Sequence, residues 1–319
     1  MNILLSGSTG FIGGALRERL LAESEFGVFE AGRRPSSSAS YTCVGDIDGD
    51  TDWQQALQDI QVVVHLAGRA HVVKSAAADT SAAFQTANVD GTLNLARQAV
   101  TAGVKRFIFI SSIGVNGSQT HDQPFRELSP PRPQAAYAMS KLAAEQGLQA
   151  LTRQTAMQLV IIRPPLVYAA HAPGNFHRLL QLAASGIPLP FAALGNQRSM
   201  LALENLVDFI RCCIVHPAAA SQVFLVADGS DVSTAQLVRY LAEGMGQPAR
   251  LFPLPIALLR VCATLLGKRA LFDQVCGSLR IDASKGRQLL GWQPLVSPEQ
   301  ALRKAGREFK ALQVSGTKS

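Results

Sequence analysis

The sequence is poor in aromatic and charged residues, and it has no dense block of one charge. Aromatic residues make up 6% and charged residues 17% of the 319 residues, while hydrophobic residues make up 47%. That hydrophobic share supports a sizeable core and excludes a disordered chain. The net charge of +7 suits nucleic acid, an anionic membrane or a phosphorylated small molecule. Without a basic stretch interleaved with aromatics, we expect a phosphate-bearing small ligand and no nucleic-acid partner.

Paired cysteine motifs are also absent. The odd number of cysteines and the lack of any C-x-x-C pair predict reduced, mostly buried thiols in a cytoplasmic protein. The five are Cys43, Cys212, Cys213, Cys262 and Cys276. His65, His71 and His171 are not spaced as a metal-binding set, so no metal site is expected.

No apolar run is long enough to cross a bilayer. The N-terminal stretch MNILLSGSTGFIGGAL lacks a basic start, so we expect no export signal. The apolar stretch from Leu254 to Gly267 is short and is interrupted by Arg260. We expect a core-facing or partner-facing helix there, with membrane contact as an alternative.

The first half of the chain alternates short apolar runs with helical stretches. Strands are predicted over residues 2–6, 27–31, 61–66, 106–111 and 159–163. Helices are predicted over residues 11–22, 80–102 and 136–154, the second capped by Asp79 or Thr80. The strands are apolar throughout, as strands buried on both faces are. This pattern predicts an α/β fold with a Rossmann-type, doubly wound parallel sheet.

The pattern changes after residue 165, where proline and glycine become frequent. We expect a first domain over residues 1–165 and a smaller domain over residues 166–319. The apolar run from Gln222 to Val226 can rejoin the sheet, so residues 196–228 are expected to return to the first domain.

A glycine-rich loop follows the first predicted strand directly. Gly7, Gly10 and Gly13 have the spacing G-x-x-G-x-x-G, and the third glycine lies in the next helix. Glycines at these places allow a tight turn, a close approach to a pyrophosphate and close helix–strand packing. The helix N-terminus adds unpaired N–H groups and a positive dipole end. The loop therefore predicts dinucleotide binding.

The end of the second strand bears on which dinucleotide is bound. An acidic residue there would bind the ribose 2′-OH, but the sequence has Arg33 and Arg34. Glu30 is the nearby acid, and it falls before the turn. Two arginines suit a 2′-phosphate, so NADP(H) is favoured and NAD(H) is possible. A solvated basic loop is the alternative interpretation of the pair.

Three polar residues suit proton transfer at a parallel-sheet edge. Tyr137 and Lys141 are four apart in a predicted helix and so share one face. A neighbouring ammonium would lower the pKa of the Tyr137 phenol toward a useful range. Ser112 follows a strand at the carboxyl edge, where ligands of such sheets bind. It can hydrogen-bond the same substrate oxygen.

With these residues in place, the chain resembles the extended short-chain dehydrogenases/reductases, specifically the nucleotide-sugar epimerase/dehydratase family. The matching motifs are STGFIGG, GDI, HLAG, NVDGT, ISSIGVNG, YAMSK and RPPLVY, in family order over most of the chain. Within this family the chain is similar to UDP-glucose 4-epimerase-like proteins and to UDP-4-keto-6-deoxy-N-acetylhexosamine 4-reductases.

The resemblance implies a role for each matching position. Catalysis would fall to Ser112, Tyr137 and Lys141. The cofactor would be held by Gly7, Thr9, Gly10, Phe11, Ile12, Gly13, Arg33, Arg34, Asp46, Ile47, Leu66, Ala67, Gly68, Asn88, Ser111, Tyr137, Lys141, Pro164 and Val167. The UDP-sugar would be held by Ser112, Asn175, Phe176, Leu189 and Arg198.

The chain departs from the family pattern around the substrate positions. The family motif R-D-x-x-x-V-x-D here reads RSMLALEN, so Ser199 and Asn205 replace both acids. The usual V-Y-G after the catalytic serine reads V-N-G, with Asn116 in place of the tyrosine. Arg280 is a candidate for the family's second phosphate-binding arginine and equally a structural residue.

Several reactions are compatible with this machinery. A 4,6-dehydratase needs an acid pair after the serine, where Ile113 and Gly114 stand, so dehydration is not expected. The resemblance to bacterial proteins of surface-polysaccharide clusters favours reduction of a UDP-4-keto-6-deoxy-N-acetylhexosamine for surface-polysaccharide synthesis, and Arg33 and Arg34 agree with a dissociable NADPH. A UDP-hexose 4-epimerase is the alternative, and a non-catalytic NADP-sensing regulator is a distant one. The family implies a homodimer through a four-helix bundle of the 80–102 and 136–154 helices.

Overall fold

The computed structural model describes residues 1–69 and 77–316, and nine strands lie within these ranges. Six of them overlap runs predicted as strands or as rejoining the sheet, and the three short strands at residues 41–43, 166–168 and 200–202 were not predicted. The strands are β1 Asn2–Ser6, β2 Gly27–Gly32, β3 Tyr41–Cys43, β4 Val62–His65, β5 Arg106–Ile110, β6 Gln158–Arg163, β7 Leu166–Tyr168, β8 Met200–Ala202 and β9 Val223–Leu225.

Helices connect the strands and dominate the C-terminal half. They are α1 Phe11–Leu21, α2 Ala77–Phe84, α3 Gly91–Thr101, α4 Ala136–Thr152, α5 Asn175–Ala184, α6 Leu203–Val215, α7 Thr234–Gly244, α8 Ile256–Leu265, α9 Arg269–Cys276, α10 Ser284–Leu290 and α11 Pro298–Gly316. The helix predicted over residues 80–102 differs from the observed one: a π-helical segment, Gln85–Asp90, separates α2 from α3. Such segments are frequent at functional sites.

The main sheet has seven parallel strands in the order β3-β2-β1-β4-β5-β6-β9. The order 3-2-1-4-5-6 is that of dinucleotide-binding sheets, and it places the switch point between β1 and β4. The predicted Rossmann-type fold is thus confirmed. β9 pairs with β6, with Ile162 opposite Phe224.

Apolar side chains cover both faces of this sheet. On one face, strand residues pack with α1 and α6, for example with Leu16 and Phe209. On the other face they pack with α3 and α4, for example with Leu95 and Leu148. The uninterrupted apolar strands of the sequence are therefore explained by burial on both sides.

A second core lies beyond the sheet. β7 and β8 form a two-stranded parallel sheet, and α5, α7 and α11 pack beside it around Phe176 and Leu241. The α7–α11 approach is close, since a Cβ on Gly306 would collide with the backbone of Leu241. The residues of this second core come from the C-terminal half of the chain. The domain boundary after residue 165 and the return of residues 196–228 to the first domain stay predictions.

One expectation from composition is wrong in the structure, and the core-facing half of another is excluded. Most thiols are not buried: Cys213 is buried, Cys212 and Cys276 are half-buried, and Cys43 and Cys262 are exposed. The helix within residues 254–267 is not core-facing, because none of the ten residues of α8, all described, is buried. Among the described residues, no helix is long and apolar enough to cross a membrane.

Candidate cofactor and nucleotide-sugar site

The glycine loop folds into a turn that only glycine tolerates at two positions. Gly7 has φ +80, and a Cβ there would come within 2.7 Å of the Ala67 nitrogen. A Cβ on Gly13 would collide with the carbonyl oxygen of Gly7. The N–H of Gly10 donates to that same oxygen at 3.0 Å. The loop therefore lies close against the 66–68 segment at the carboxyl ends of β1 and β4.

A cleft of about 600 Å³ opens at this sheet edge. Nine of the predicted cofactor residues line it: Gly7, Thr9, Gly10, Arg33, Asp46, Ile47, Leu66, Ala67 and Gly68. These features fit a dinucleotide. The glycine turn lets the backbone come close to a pyrophosphate, the helix N-terminus can bind its charge, and the floor of the cleft is apolar. Chain segments that are distant in sequence thus form one cradle.

The other predicted cofactor residues take different positions. Phe11, Ile12 and Val167 pack against the core beneath the sheet. The carbonyl oxygen of Pro164 accepts a hydrogen bond from the Ile113 N–H at 2.9 Å, joining the ends of β5 and β6.

The end of β2 presents two exposed guanidinium groups, on Arg33 and Arg34. Arg33 forms a loose ion pair with Asp46, at 3.5 Å between Nη1 and Oδ1. Glu30 points elsewhere: it is buried within β2, and its carboxylate accepts a hydrogen bond from Arg17 Nε at 2.7 Å. The acid nearest the turn is therefore already paired within the protein.

Lys141 is buried beneath the cleft floor. Its Nζ donates to the carbonyl oxygen of Ile110 at 2.9 Å and lies 4.5 Å from the Phe109 ring centroid. The same nitrogen is 3.4 Å from where a Cβ of Gly68 would stand, so it adjoins the cleft lining. Burial lowers the pKa of Lys141 to about 8, and Glu145 opposes that shift.

The predicted effect of Lys141 on Tyr137 is not what the structure shows. Burial raises the pKa of the Tyr137 phenol to about 12. The Lys141 ammonium lies 5.9 Å from the tyrosine ring centroid and directs its hydrogen bond to the Ile110 carbonyl, while Phe84 packs edge-on to the ring at 6.1 Å. The expectation of a lowered pKa is wrong here because desolvation outweighs the ammonium.

The two serines after β5 have different environments. Ser112 is half-buried, and its Oγ accepts the Gly114 N–H at 3.1 Å, which caps a short 3₁₀ turn. A Cβ on Gly114 would lie 3.2 Å from the Cβ of Ala138, so this turn packs against the residue after Tyr137.

Ser111 is buried and donates its hydroxyl proton to Glu145. Glu145 in turn accepts from Arg163 Nε at 2.9 Å, and Arg163 Nη1 donates to Asn116 Oδ1 at 3.1 Å. The Ser111 side chain thus belongs to a buried polar network behind the site, and its predicted cofactor contact stays a prediction.

Asn88 connects the π-helical segment to the helix that carries Tyr137. Its Oδ1 accepts the Arg69 N–H at 2.8 Å, and its Nδ2 donates to the Arg69 carbonyl and to Ser140 Oγ, each at 3.0 Å. Ser140 donates to the carbonyl oxygen of Tyr137 at 2.8 Å. Ser140, which the sequence pattern did not single out, therefore links the helical turn of Tyr137 to Asn88 and the neighbouring Arg69 of the cleft lining.

His65, the last residue of β4, is buried in the core. Its ring nitrogens bond Ser6 Oγ at 2.6 Å and Thr92 Oγ1 at 2.9 Å. Burial and the nearby Lys141 charge lower its pKa to about 3. No cluster of metal-ligating side chains occurs among the residues the structure describes, and His71 lies outside them.

The predicted substrate residues are not all exposed. Asn175 is exposed at the start of α5, whereas Phe176 is fully buried and packs 5.4 Å from the Tyr168 ring. Leu189 is buried and joins residues 250–252 by backbone hydrogen bonds of 2.8 and 3.0 Å. The side chain of Phe176 therefore supports the core, and Asn175 is the member of that pair that faces solvent.

The side chain of Arg198 contacts the C-terminal end of α9. Its Nη1 donates to the carbonyl oxygens of Gln274 at 2.8 Å and Gly277 at 3.0 Å, and burial lowers its pKa. Arg280 is nearby, since its Nη1 donates to Gln197 Oε1 at 3.1 Å. Its buried Nε has no partner within the described residues. The guanidinium groups of Arg198 and Arg280 thus lie in the same region of the structure.

Carboxylates from a different loop lie beside the two positions where the family acids are missing. Ser199 donates its hydroxyl proton to Asp231. Asn205 Nδ2 donates to Asp228 Oδ1 at 2.7 Å, and Asp228 also accepts the Ala202 N–H at 2.8 Å. Burial raises the pKa of Asp228 to about 6. Sequence reasoning missed this pairing because the partners are more than 20 positions apart.

The fold and the glycine cradle define a dinucleotide-binding enzyme, and comparison with known proteins specifies its family. Residues 3–227 match the model of the NAD dependent epimerase/dehydratase family. The chain belongs to this family, which confirms the resemblance read from its motifs. It is therefore an NAD(P)-dependent enzyme.

Individual relatives cover nearly the whole chain. A UDP-glucose 4-epimerase of Vibrio cholerae is 42% identical, over 97% of this chain and 95% of that protein. An N-acetyl-alpha-D-glucosaminyl-diphospho-ditrans,octacis-undecaprenol 4-epimerase of Escherichia coli O157:H7 is 29% identical, over 89% of this chain and 88% of that protein. The structure of a UDP-glucuronic acid 4-epimerase from Bacillus cereus with NAD superposes with TM-score 0.79 at 21% identity, covering 99% of this chain and 98% of that chain. At this identity the superposition shows a common fold.

Proposed function

We propose that the protein oxidises and reduces C4 of a UDP-linked sugar, and that its net reaction is 4-epimerisation of a UDP-hexose. The observation that carries this is Lys141 beneath Gly68 at the cleft floor, with Tyr137 one helical turn before it. The two relatives named above are both 4-epimerases of a sugar carried on a diphosphate. A nicotinamide dinucleotide, when bound in the cradle, accepts and returns the hydride.

The chain's own residues have distinct tasks in this proposal. Tyr137 moves the proton on the C4 oxygen, and Lys141 places a positive charge beside the cleft floor, where its attraction for the phenolate opposes the cost of burying that charge. Ser112 accepts the Gly114 N–H, which leaves its own proton to donate to the substrate oxygen. Ile113 stands where a dehydratase carries an acid. Its apolar side chain packs among other apolar residues and cannot transfer a proton.

Arg33 and Arg34 support NADP(H) as the cofactor, since Glu30 is paired with Arg17, Arg33 lines the cleft, and both arginines are exposed. A dissociable NADP(H) also favours a second candidate function, reduction of a UDP-4-keto-6-deoxy-N-acetylhexosamine. We further propose a homodimer through α3 and α4, and substrate contacts from Asn175, Leu189 and Arg198.

One incubation separates the two candidate reactions. Purified protein is given a UDP-hexose with catalytic cofactor, or a UDP-4-keto sugar with stoichiometric NADPH, and the products are separated. Interconversion of the UDP-hexoses with no net oxidation or reduction of the cofactor indicates the epimerase. Net consumption of NADPH with the 4-keto sugar indicates the reductase. If no UDP-sugar gives either result, the proposed C4 chemistry is contradicted.

A further inference from the structure

Helix α8 is apolar around most of its circumference, yet it lies on the surface. Eight of its ten residues, IALLRVCATL, are apolar, and none of the ten, all described, is buried. Leu265 is 82% and Leu266 70% exposed, and Val261 and Leu258 are about half exposed. A helix that is apolar on every side is normally buried, so this surface needs a covering partner.

The two polar residues of α8 do little to make its surface hydrophilic. Thr264 donates its hydroxyl proton to the Arg260 carbonyl at 2.8 Å, within its own helix. The Arg260 guanidinium lies 5.7 Å from the ring centroid of Phe272 on α9. The exposed surface therefore combines an apolar stripe with positive charge beside it.

The chain segment over residues 244–272, which contains α8, carries charge of one sign. Between Glu243 and Asp273 the sequence contains no acid and four bases, and the whole chain has a net charge of only +7. The four bases are exposed, and they are Arg250, Arg260, Lys268 and Arg269. Exposed leucines flanked by basic side chains are the pattern by which a helix lies in the interface of an anionic bilayer.

From this pattern we propose that α8 and its flanking bases seat the protein on an anionic phospholipid bilayer. Leu258, Val261, Leu265 and Leu266 enter the acyl boundary, and the bases meet the headgroup phosphates. A second copy of this chain is disfavoured as the occupant, because it would place four bases against four bases.

The position of this surface relates it to the candidate substrate site. Residues 250–252, just before α8, pair with Leu189, and carbonyl oxygens in the last turn of α9 and directly after it accept from Arg198. Both residues are predicted substrate contacts. That relation rests on the proposed function, whereas bilayer binding stands on the exposed residues alone and is tested without substrate.

Vesicle co-sedimentation of the full chain tests the proposal. Vesicles of phosphatidylcholine alone are compared with vesicles that contain about 30% phosphatidylglycerol. We expect the wild-type protein to sediment with the anionic vesicles, and less with neutral ones or at high salt. The variant L265E/L266E is expected to reduce the bound fraction at least about tenfold. The control L128E alters an exposed leucine outside the segment and should bind as wild type.

Light scattering and activity measurements keep the outcomes separate. All variants should have the same lipid-free oligomeric state and the same turnover of a soluble UDP-sugar. Equal sedimentation of wild type and L265E/L266E would overturn the proposal. So would loss of self-association in L265E/L266E without vesicle binding by the wild type, because a second copy would then cover α8.

Discussion

Lys141 donates its Nζ proton to the carbonyl oxygen of Ile110, the last residue of β5, at 2.9 Å. This bond ties the helix that carries Tyr137 to the sheet edge where Ser112 begins the next turn. It also holds an ammonium in a nearly solvent-free position, 3% exposed. Such burial destabilises the charged form, so the position is better suited to chemistry than to stability.

Replacement of Tyr137 by phenylalanine removes the proposed proton carrier and leaves the ring packing with Phe84. We expect turnover of the UDP-sugar to fall about 10²–10⁴-fold, the usual contribution of a positioned acid or base. Cofactor binding, followed by nicotinamide fluorescence, should change little. Tyr240→Phe, at a half-buried tyrosine under Arg303, is the matched control. Normal turnover by Tyr137→Phe would refute the assignment.

Replacement of Lys141 by methionine should abolish activity and stabilise the fold at neutral pH. The pKa of Lys141 is about 8 in the folded state and 10.5 for a free lysine, a difference of about 3 kcal/mol at most. Subtracting about 1 kcal/mol for the lost Ile110 hydrogen bond leaves a gain of roughly 2 kcal/mol.

The sign of the pH dependence follows from the lowered pKa of Lys141. Between pH 8 and 10.5 the unfolded wild type binds more protons than the folded one, so wild-type stability rises with pH and the advantage of Lys141→Met shrinks. Urea unfolding at pH 7 and pH 10 measures this, with exposed Lys105→Met as the control. If the difference in unfolding free energy between Lys141→Met and the wild type did not change with pH, the buried ammonium would not be its source.

Removal of Arg33 and Arg34 tests the cofactor preference. The double alanine variant should lose about 10–100-fold in NADPH affinity, as expected for charge-assisted hydrogen bonds, and little in NADH affinity. Loss of the exposed Arg33–Asp46 pair should itself matter little. Titrations of both cofactors, with exposed Arg97→Ala as the control, provide the comparison. Tighter NADH than NADPH binding by the wild type would overturn the preference.

Asp228→Asn should destabilise the fold by about 2 kcal/mol. The carboxylate accepts from Ala202 N–H, Asn205 Nδ2 and the Tyr168 hydroxyl, and an amide would point its NH₂ group at one of these donors. Asp231→Asn, on an exposed residue that accepts from Ser199, should cost less than about 1 kcal/mol. Equal effects in thermal or urea unfolding would contradict a special role for Asp228.

The sequence predicts the sheet and the cradle well, because both depend on local patterns. Continuous apolar strands, the Gly7–Gly13 spacing and the turn after β2 are visible without any contact information. Properties that depend on packing were not predictable. The raised pKa of Tyr137 comes from desolvation in its packed surroundings, where Phe84 lies edge-on to the ring. The sequence left open whether the apolar run of α8 faces the core, a partner or a membrane.

The substitution of Asn205 for a family acid illustrates the same limit. In the sequence it is only a departure from a motif. In the structure it lies beside Asp228, a carboxylate from the loop after β9, at 2.7 Å. Only the fold brings these two positions together.

The central claim is hydride removal from C4, and an isotope experiment tests it most directly. Protein is mixed with oxidised cofactor and a UDP-hexose carrying deuterium at C4, then quenched within a turnover, and the released cofactor is analysed by mass spectrometry. The account predicts deuterium in the reduced cofactor with the wild type and none with Tyr137→Phe. Conversion of the sugar with no deuterium ever entering the cofactor would contradict it.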